Sequence, residues 1–367
     1  MKKYFDVVFA TNREKDLKYL AVAGRSLLEN CSRPDRVRLH ILHSLLDQSQ
    51  LDRLSDSWKG FSASVRFYSM EERLGNRAQD PGYGYWYRVY LADLLSTSIS
   101  RALYLDCDVL VLGDIAELWS VSLGDNLAGV VWDPGYRHFG IAAQLEKRAK
   151  KNGLSFCGAG PYFNTGVLLI DLSAWRSADI AGEIERNFGS THQDSILFDQ
   201  DELNILLQGR VLPLTPAWNL IEPIALIDKW DFEIYQDLAD PQTYFVPRIR
   251  HFSGASKADS PLVRSSEKAN FYSYIDKTDW AGWRSESDST WWGKALAELV
   301  DLHYIVIRGV RQKVLSQPIA RLKRQLQRAP YTALLYLGIP LYRIFLEIKN
   351  KLERALAGGA SDASFSE

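Results

Sequence analysis

The sequence predicts an α/β fold in which helices cover both faces of a mostly parallel sheet, with a basic helical segment at the C-terminus. Three observations predict this. Short apolar runs typical of buried strands alternate with stretches of helical periodicity. Two aspartates end one of these runs, and positive charge is concentrated near the C-terminus. With 367 residues, 46% of them hydrophobic, the chain can bury a large core and carry an appendage.

The individual elements are predicted from the spacing of apolar residues. Runs rich in β-branched and aromatic residues predict strands at 4–11, 37–43, 65–68, 102–105, 109–112, 127–132, 162–172 and 244–252. Apolar residues at helical spacing predict helices at 16–30, 47–58, 86–95 and 194–208. Residues 253–292 are irregular and rich in Trp, Ser and Asp. The alternation of strands and helices predicts a Rossmann-like sheet.

The distribution of charge divides the chain. Residues 302–354 contain eleven Lys and Arg and two acidic residues, a charge of +9, so the rest of the chain carries −10 within the overall −1. This near-neutral total gives no reason to expect nucleic-acid binding. We expect a main domain at 1–260, an irregular Trp-rich extension at 261–300, a basic segment at 301–356 and a disordered tail at 357–367.

Cysteine usage and the N-terminus indicate the compartment. Cys31, Cys107 and Cys157 have neither paired nor metal-type spacing, which fits a reducing compartment. The N-terminal apolar stretch is interrupted by Asp6 and runs into a charged segment, so we expect a first strand and not a signal peptide. A cytoplasmic protein is the resulting expectation.

Asp106 and Asp108 follow the strand predicted at 102–105. Burying two carboxylates beside such a strand is costly unless a cation or hydrogen-bond donors compensate. Open α/β sheets bind ligands just beyond the carboxyl ends of their strands, so a divalent metal bridging to a phosphate would fit. An Asp-x-Asp taken alone is more often a turn or capping pair. Whether this one is a metal site depends on what the other polar segments of the chain offer.

Further polar segments stand beside apolar runs, at 8–12, 162–167, 198–204 and 251–257. In the second of them, Asn164 and Thr165 interrupt an apolar strand, and Gly166 allows close approach of the backbone. The last offers an imidazole, a glycine and a lysine, as a bound diphosphate would need. Taken singly these are ordinary turn residues, helix caps, core histidines or surface lysines. Their coincidence in one chain argues against those explanations.

The combined motifs resemble those of the family 8 retaining glycosyltransferases, particularly the bacterial lipopolysaccharide and lipooligosaccharide galactosyl- and glucosyltransferases. The resemblance runs from about residue 5 to residue 257. It rests on Val-Phe-Ala-x-Asn at 8–12, Tyr-Arg at 87–88, Leu-Tyr-Leu-Asp-x-Asp-Val-Leu at 103–110, Tyr-Phe-Asn-x-Gly-Val-Leu-Leu-Ile at 162–170, Asp-Gln-Asp-x-Leu-Asn at 199–204 and His-Phe-x-Gly-x-x-Lys at 251–257. The ordered combination is much more specific than any single motif.

The resemblance implies a fold of the GT-A type and retaining transfer of galactose or glucose from a UDP-sugar to a glycan or glycolipid acceptor. It implies metal ligands at Asp106, Asp108 and His251, whose carboxylates and imidazole suit Mn²⁺ better than Mg²⁺, the alternative ion. It implies catalytic roles for Asp199 and Gln200. The implied nucleotide-sugar-binding residues are Ala10, Asn12, Arg88, Asp106, Cys107, Asp108, Asp133, Asn164, Thr165, Gly254 and Lys257.

Retention requires either a double displacement or attack from the face of the leaving group. The resemblance places Gln200 nearest the back face, and an amide is a poor nucleophile, which favours same-face attack with Asp199 orienting the sugar. The chain departs from the family pattern at two places. Asn12 stands where many members have Asp, and Ala258-Asp259 follows Lys257 where Pro-Trp is frequent, so we expect a difference in the loop over the diphosphate.

Two segments raise the question of partners. The four aromatic rings in residues 80–87 could form a lid on an acceptor sugar or pack into the core, and we expect at least half of them in the core. Residues 306–328 have the pattern of a basic amphipathic helix, and the apolar stretch 331–342 is too short to span a bilayer. We expect peripheral attachment to anionic lipid on the inner face of the cell membrane, with a solvated helical hairpin as the alternative.

The sequence therefore favours an enzyme of lipopolysaccharide or other cell-surface polysaccharide synthesis. One alternative is a glycogenin-like initiator that glycosylates a protein. A second is a non-catalytic module that binds a nucleotide sugar or a membrane.

Overall fold

A computed structural model describes residues 4–133, 141–158, 160–189, 197–221, 246–254, 257–291, 293–298 and 300–301. They belong to the first of the two units into which the chain divides, Met1–Leu302. The predicted basic segment and tail, at 301–356 and 357–367, lie outside the described residues apart from residue 301.

The described strands form two sheets. Their bounds are β1 (Phe5–Thr11), β2 (Val37–His43), β3 (Ser64–Ser69), β4 (Arg101–Leu105), β5 (Val109–Val111), β6 (Ala128–Trp132), β7 (Phe163–Asp171), β8 (Val211–Pro213), β9 (Leu220–Ile221) and β10 (Ile249–His251). The main sheet has the order β3-β2-β1-β4-β7-β6-β8, and the small sheet the order β5-β10-β9. Strands β3, β2, β1 and β4 are parallel, whereas β7 is antiparallel to β4 and β6. The predicted mostly parallel sheet is confirmed.

Strand β1 shows why apolar side chains cover both faces of this sheet. All seven of its residues are buried, and successive side chains point to opposite faces. Phe5, Val7 and Phe9 pack into a cluster with the side chains of the following helix, whereas Val8 and Ala10 pack into a second cluster on the other face. Each fully buried apolar side chain of this size contributes about 1.5–3 kcal/mol.

The helices connect these strands. Their bounds are α1 (Leu17–Asn30), α2 (Gln48–Asp56), α3 (Glu71–Leu74), α4 (Leu91–Leu94), α5 (Ile115–Trp119), α6 (Ala142–Lys151), α7 (Leu172–Ser177), α8 (Ile180–Phe188), α9 (Asp199–Leu207) and α10 (Ser265–Ile275). The start of α2 is fixed by a capping box, in which the Asp47 carboxylate accepts the N–H of Gln50 and the Gln50 side chain accepts the N–H of Asp47.

Three sequence-based assignments need correction. The helix predicted at 86–95 is a 3₁₀-helix, Pro81–Tyr90, followed by α4, because the aromatic and β-branched residues that fill most of 85–90 have low α-helix propensity. The helix predicted from 194 begins at Asp199, although 194–196 lie outside the described residues. Helix α10 lies in the stretch predicted to be irregular. It was not predicted because its few apolar residues, including Phe271 and Ile275, give no clear periodicity.

One edge of the main sheet collects the segments that carry the motifs. The carboxyl ends of β1 and β4 lie together because these strands are parallel neighbours. The amino end of β7 meets them, since β7 is antiparallel to β4, and β6 brings its carboxyl end to β7. In the small sheet, β10 pairs antiparallel with β5, which follows β4. None of the helices in the described part of the chain has the length and apolar character that a membrane crossing requires.

Candidate active site

Two aspartates lie where β4 ends and the chain enters the small sheet. The Asp106 N–H donates to the Gly166 carbonyl at 2.8 Å, and the Tyr104 hydroxyl donates to the Asp106 carboxylate at 3.0 Å. Asp108 is buried, and its carbonyl accepts the N–H of Phe252 at 2.9 Å. The apolar strands on either side thus hold both carboxylates at the sheet edge.

His251 reaches the same place because β10 pairs with β5. Its Nε2 lies 3.3 Å from Oδ1 of Asp108 and 3.7 Å from Oδ2 of Asp106, and the candidate ligand atoms of all three residues lie within 4.8 Å of one another. Gly166 provides the space, since a Cβ there would lie 2.2 Å from Cε1 of His251 and 2.8 Å from Oδ2 of Asp106. The three predicted metal ligands are therefore brought together.

Lys257 supplies a positive charge beside this cluster and forms an ion pair with Asp108. Burial opposes ionisation of the Asp108 carboxyl, but its interactions with Lys257 and His251 outweigh burial and hold its pKa well below the usual range. Burial also opposes the positive charge on Lys257, but the attraction to the Asp108 carboxylate outweighs the effect of burial. The pKa of the Lys257 ammonium group is therefore raised. Gly254, between the two motif ends, has a φ of 65°, a conformation that favours glycine.

The loop after Lys257 packs against α1, at the place where the sequence departs from the family pattern. Ala258 is buried in an apolar cluster with Val22 of α1. The Asp259 carboxylate accepts a hydrogen bond from the Tyr19 hydroxyl of α1 at 2.6 Å. In this chain an apolar contact and one partly buried hydrogen bond thus hold the loop after Lys257 against α1.

Arg88 joins the cluster of Asp106, Asp108 and His251 to the start of α9. Its guanidinium lies 2.9 Å from Oδ1 of Asp106 and 2.9 Å from Oδ2 of Asp199, and its Nη1 donates to the carbonyl of Thr165 at 2.7 Å. Burial raises the pKa of Asp199 to about 7, with Arg88 opposing the shift and Asp106 adding to it. The Asp106–Arg88–Asp199 array, in which Arg88 and Asp199 are buried, holds an arginine charge between two carboxylates.

A cluster of side-chain amides lies at the amino end of β7 and the start of α9. Asn164 Nδ2 donates to Oε1 of Gln200 at 2.9 Å, and Gln200 Nε2 donates to Oδ2 of Asp133 at 3.2 Å. The backbone N–H of Thr165 also donates to Oε1 of Gln200, at 3.2 Å. The predicted residues just after β6, in β7 and at the start of α9 therefore form one hydrogen-bonded group.

The remaining predicted residues lie along the same edge. Ala10 is buried in β1, and Asn12 follows that strand and donates from Nδ2 to the carbonyl of Asp80 at 3.0 Å. A Cβ at Gly84 would lie 2.3 Å from Oδ1 of Asn12, so the turn at 80–84 packs directly against this amide. Cys107 is half-buried, and burial raises the pKa of its thiol well above the usual range, so it remains protonated.

Asn219 was not among the site residues predicted from the sequence. This residue ends a 3₁₀-turn, Pro216–Asn219, and is 2% exposed. Its Oδ1 lies 2.9 Å from Nδ1 of His251, and its Nδ2 donates to Oδ1 of Asn164 at 2.9 Å. The available signal was a lone amide between the apolar residues Trp218 and Leu220, the same signal that marked Asn164.

Comparison with known proteins assigns the family. A family model described as "Glycosyl transferase family 8" matches residues 2–258. The chain belongs to glycosyl transferase family 8. The family resemblance drawn from the motifs is therefore confirmed.

Relatives of this family 8 glycosyltransferase include General stress protein A of Bacillus subtilis (strain 168), 28% identical over 262 residues that cover 70% of this chain and 87% of that protein. The lipopolysaccharide 1,2-glucosyltransferase of Escherichia coli (strain K12) is 30% identical over 174 residues, 47% of this chain and 48% of that protein. The galactosyltransferase LgtC, crystallised with donor and acceptor sugar analogs, superposes with a TM-score of 0.58 at 25% identity, over 79% of this chain and 100% of that one. The expected GT-A fold is confirmed.

Proposed function

We propose that this glycosyltransferase is a retaining hexosyltransferase that uses a UDP-sugar and a divalent metal to build a cell-surface glycan such as lipopolysaccharide. The observation that carries the proposal is the convergence of Asp106, Asp108 and His251 at the sheet edge, with Lys257 beside them. The donor is UDP-galactose or UDP-glucose, and the acceptor is a glycan or glycolipid. Similarity to the lipopolysaccharide 1,2-glucosyltransferase and to LgtC supports this choice.

The residues fit a divalent ion. Two carboxylates and one imidazole form a donor set that suits Mn²⁺, while Mg²⁺ prefers oxygen ligands alone. The absence of a side chain at Gly166 leaves the space in which His251 and Asp106 approach each other. Asp106, Asp108 and His251 would hold the ion, which supplies Lewis-acid stabilisation of the diphosphate leaving group.

Charged side chains around the cluster divide the remaining work. The Lys257 ammonium, which forms an ion pair with Asp108, would contact the diphosphate and offset part of its charge. Arg88 holds the Asp106 and Asp199 carboxylates in fixed positions, so that Asp199 orients the donor sugar. Ala10 and Asn12, at the end of β1, would contact the uridine.

The hydrogen bonds of Gln200 support same-face attack. Its Oε1, the atom that would act as a nucleophile, accepts hydrogen bonds from Asn164 Nδ2 and from the Thr165 N–H. These bonds reduce the already weak nucleophilicity of an amide oxygen. We therefore favour attack by the acceptor hydroxyl from the leaving-group side, with a diphosphate oxygen accepting its proton, and Gln200 would position the sugar.

The aromatic segment at 80–87 contributes little surface to an acceptor. Tyr83, Trp86 and Tyr87 are buried in the core, as expected for at least half of these rings. Tyr85 is half-buried and stacks on Phe198, with ring centroids 4.4 Å apart, and Phe198 is 44% exposed directly before Asp199. This pair is the part of the segment that we propose for contact with the acceptor sugar.

The most direct test is UDP release from UDP-galactose, UDP-glucose and their N-acetyl forms, with and without Mn²⁺. We expect Mn²⁺-dependent release from one of the unmodified hexose donors, and its loss in Asp106→Ala and in Asp108→Ala. Asp125→Ala is the matched control, since Asp125 is exposed and precedes β6 at the opposite edge of the sheet. Undiminished activity in EDTA, or in both site variants, would contradict the proposal.

We also propose that the enzyme is cytoplasmic and that residues 301–356 attach it to the inner face of the membrane. The support is the sequence charge of +9 in residues 302–354. The full chain should bind vesicles containing phosphatidylglycerol and should bind less as salt rises. A chain ending at residue 301 should remain unbound and still hydrolyse the donor. Flotation of that shorter chain with vesicles would refute the attachment.

A further inference from the structure

A directional series of hydrogen bonds links His251, one of the three proposed metal ligands, to the residues proposed to bind the donor sugar. It runs from Nδ1 of His251 to Oδ1 of Asn219 at 2.9 Å, and from Nδ2 of Asn219 to Oδ1 of Asn164 at 2.9 Å. It continues from Nδ2 of Asn164 to Oε1 of Gln200 at 2.9 Å, and from Nε2 of Gln200 to Oδ2 of Asp133 at 3.2 Å. Asn219 is the link between the two halves of the site.

Backbone N–H groups fix the direction of this series, because they can only donate. The Gly166 N–H donates to Oδ1 of Asn164 at 2.8 Å, which identifies that atom as the oxygen of its amide. The group of Asn219 that faces this oxygen must then be its NH₂, so the oxygen of Asn219 faces His251. An oxygen accepts, and Nδ1 of His251 must therefore carry the proton.

In the neutral ring this tautomer leaves Nε2 without a proton, the form that binds a metal, and Nε2 faces the carboxylates of Asp106 and Asp108 at 3.7 and 3.3 Å. A metal-bound histidine usually donates its other ring N–H to a fixed acceptor, which sets the tautomer and the orientation of the ring. Asn219 is held for this task, since it is 2% exposed and precedes β9, which pairs with β10 beside His251.

We propose that Asn219 is a positioning residue that fixes the Nδ1–H tautomer of His251 for metal binding and couples this histidine to the donor-sugar amides through Asn164. The inference rests on the proposed function, because it assumes that His251 binds the metal and that Asn164 and Gln200 contact the sugar. The two contacts of Asn219 are chemically distinct: the contact with His251 requires a hydrogen-bond acceptor at position 219, and the contact with Asn164 requires a donor.

Two substitutions separate these ends. Asn219→Ala removes both the acceptor and the donor. Asn219→Asp retains an acceptor for the Nδ1–H of His251 but cannot donate to Asn164. Asn126→Ala is the matched control, because Asn126 also makes a side-chain hydrogen bond, from Nδ2 to the Leu123 carbonyl at 2.8 Å, and it precedes β6 at the opposite edge of the sheet.

Mn²⁺ affinity is measured on the full chain without nucleotide, by calorimetry or by the paramagnetic resonance of free Mn²⁺. Loss of a residue that supports a metal ligand typically weakens metal binding 10- to 100-fold, and we expect a fall in this range for Asn219→Ala. We expect Asn219→Asp and the control to bind within about threefold of the unmodified chain or more tightly. Both Asn219 variants should lose several-fold of the preference for UDP-hexose over UDP.

A second measurement does not depend on the metal. In the ¹⁵N-histidine spectrum of the metal-free chain, with the His251 signals assigned by their absence in a His251→Gln variant, Nδ1 should be protonated. The Asn219→Asp variant should retain this signature and the Asn219→Ala variant should lose it. The inference would be overturned by an unchanged Mn²⁺ affinity in Asn219→Ala or by an equal loss of Mn²⁺ affinity in both Asn219 variants. An Nε2–H tautomer in the unmodified chain would also overturn it. If the unmodified chain binds no Mn²⁺ but shows the Nδ1–H tautomer, the proposed function fails and so does the role in metal binding, although Asn219 still fixes the His251 tautomer.

Discussion

Replacing Gly166 with alanine should damage the proposed metal site without removing any of its proposed ligands. The added Cβ would lie 2.2 Å from Cε1 of His251 and 2.8 Å from Oδ2 of Asp106, whereas ordinary contacts begin near 3.4 Å. The imidazole would therefore have to retreat by about 1.2 Å, and metal sites tolerate only about 0.2 Å in ligand distances. We expect Mn²⁺ affinity to fall at least tenfold, measured by calorimetry without nucleotide, and overpacking to lower stability by about 1–3 kcal/mol.

Gly129→Ala is the matched control for this experiment. Gly129 lies in β6 of the same sheet, where a Cβ would meet the ends of Leu123 and Leu214 side chains at 3.2–3.3 Å, and these can shift by a few tenths of an ångström. Its Mn²⁺ affinity should match that of the unmodified chain. If folded Gly166→Ala also binds Mn²⁺ with unchanged affinity, His251 and Asp106 do not bind one ion together, and the reasoning is refuted.

Two further predictions concern the loop of Lys257 and the start of α9. Tyr19→Phe removes the 2.6 Å hydrogen bond to Asp259. UDP affinity in the presence of Mn²⁺ should then fall about 2- to 12-fold, the equivalent of about 0.5–1.5 kcal/mol, while Mn²⁺ affinity without nucleotide stays the same. A fall in both affinities would contradict this prediction. Burial raises the pKa of Asp199 from 3.8 to about 7, so the stability that its protonated carboxyl contributes is present below about pH 4 and is lost as the pH rises through 7. The free energy of unfolding in urea should therefore decline over this range in the unmodified chain relative to Asp199→Asn. Parallel pH profiles of the unfolding free energy in the two proteins would refute this prediction.

The sequence predicted most strands because their patterns are local. Strand β1 is apolar along its whole length, and its bounds in the structure agree with the prediction to within one residue. The direction of β7 was not predictable in this way, since an apolar run looks the same in parallel and antiparallel pairing. The continuation at 109–112 was expected as the same pattern resumed, but β5 leaves the main sheet and pairs with β10.

The candidate site was predictable where a family motif marks it and not where long-range contacts create it. Asp106, Asp108 and His251 were predicted from motifs, and the structure places their ligand atoms together. Asn219 was not predicted, because its partners His251 and Asn164 lie 32 and 55 positions away in the chain. The stacking of Tyr85 on Phe198 likewise depends on how the 3₁₀-helix Pro81–Tyr90 approaches α9.

The central claim is that Asp106, Asp108 and His251 bind one divalent ion against the diphosphate of a UDP-sugar. Anomalous diffraction at the manganese edge, from crystals of the full chain grown with UDP and Mn²⁺, tests it most directly. We predict one strong peak bounded by a carboxylate oxygen of each aspartate, Nε2 of His251 and the diphosphate oxygens. Ordered UDP without a peak at this position, or a peak that His251 does not contact, would contradict the account.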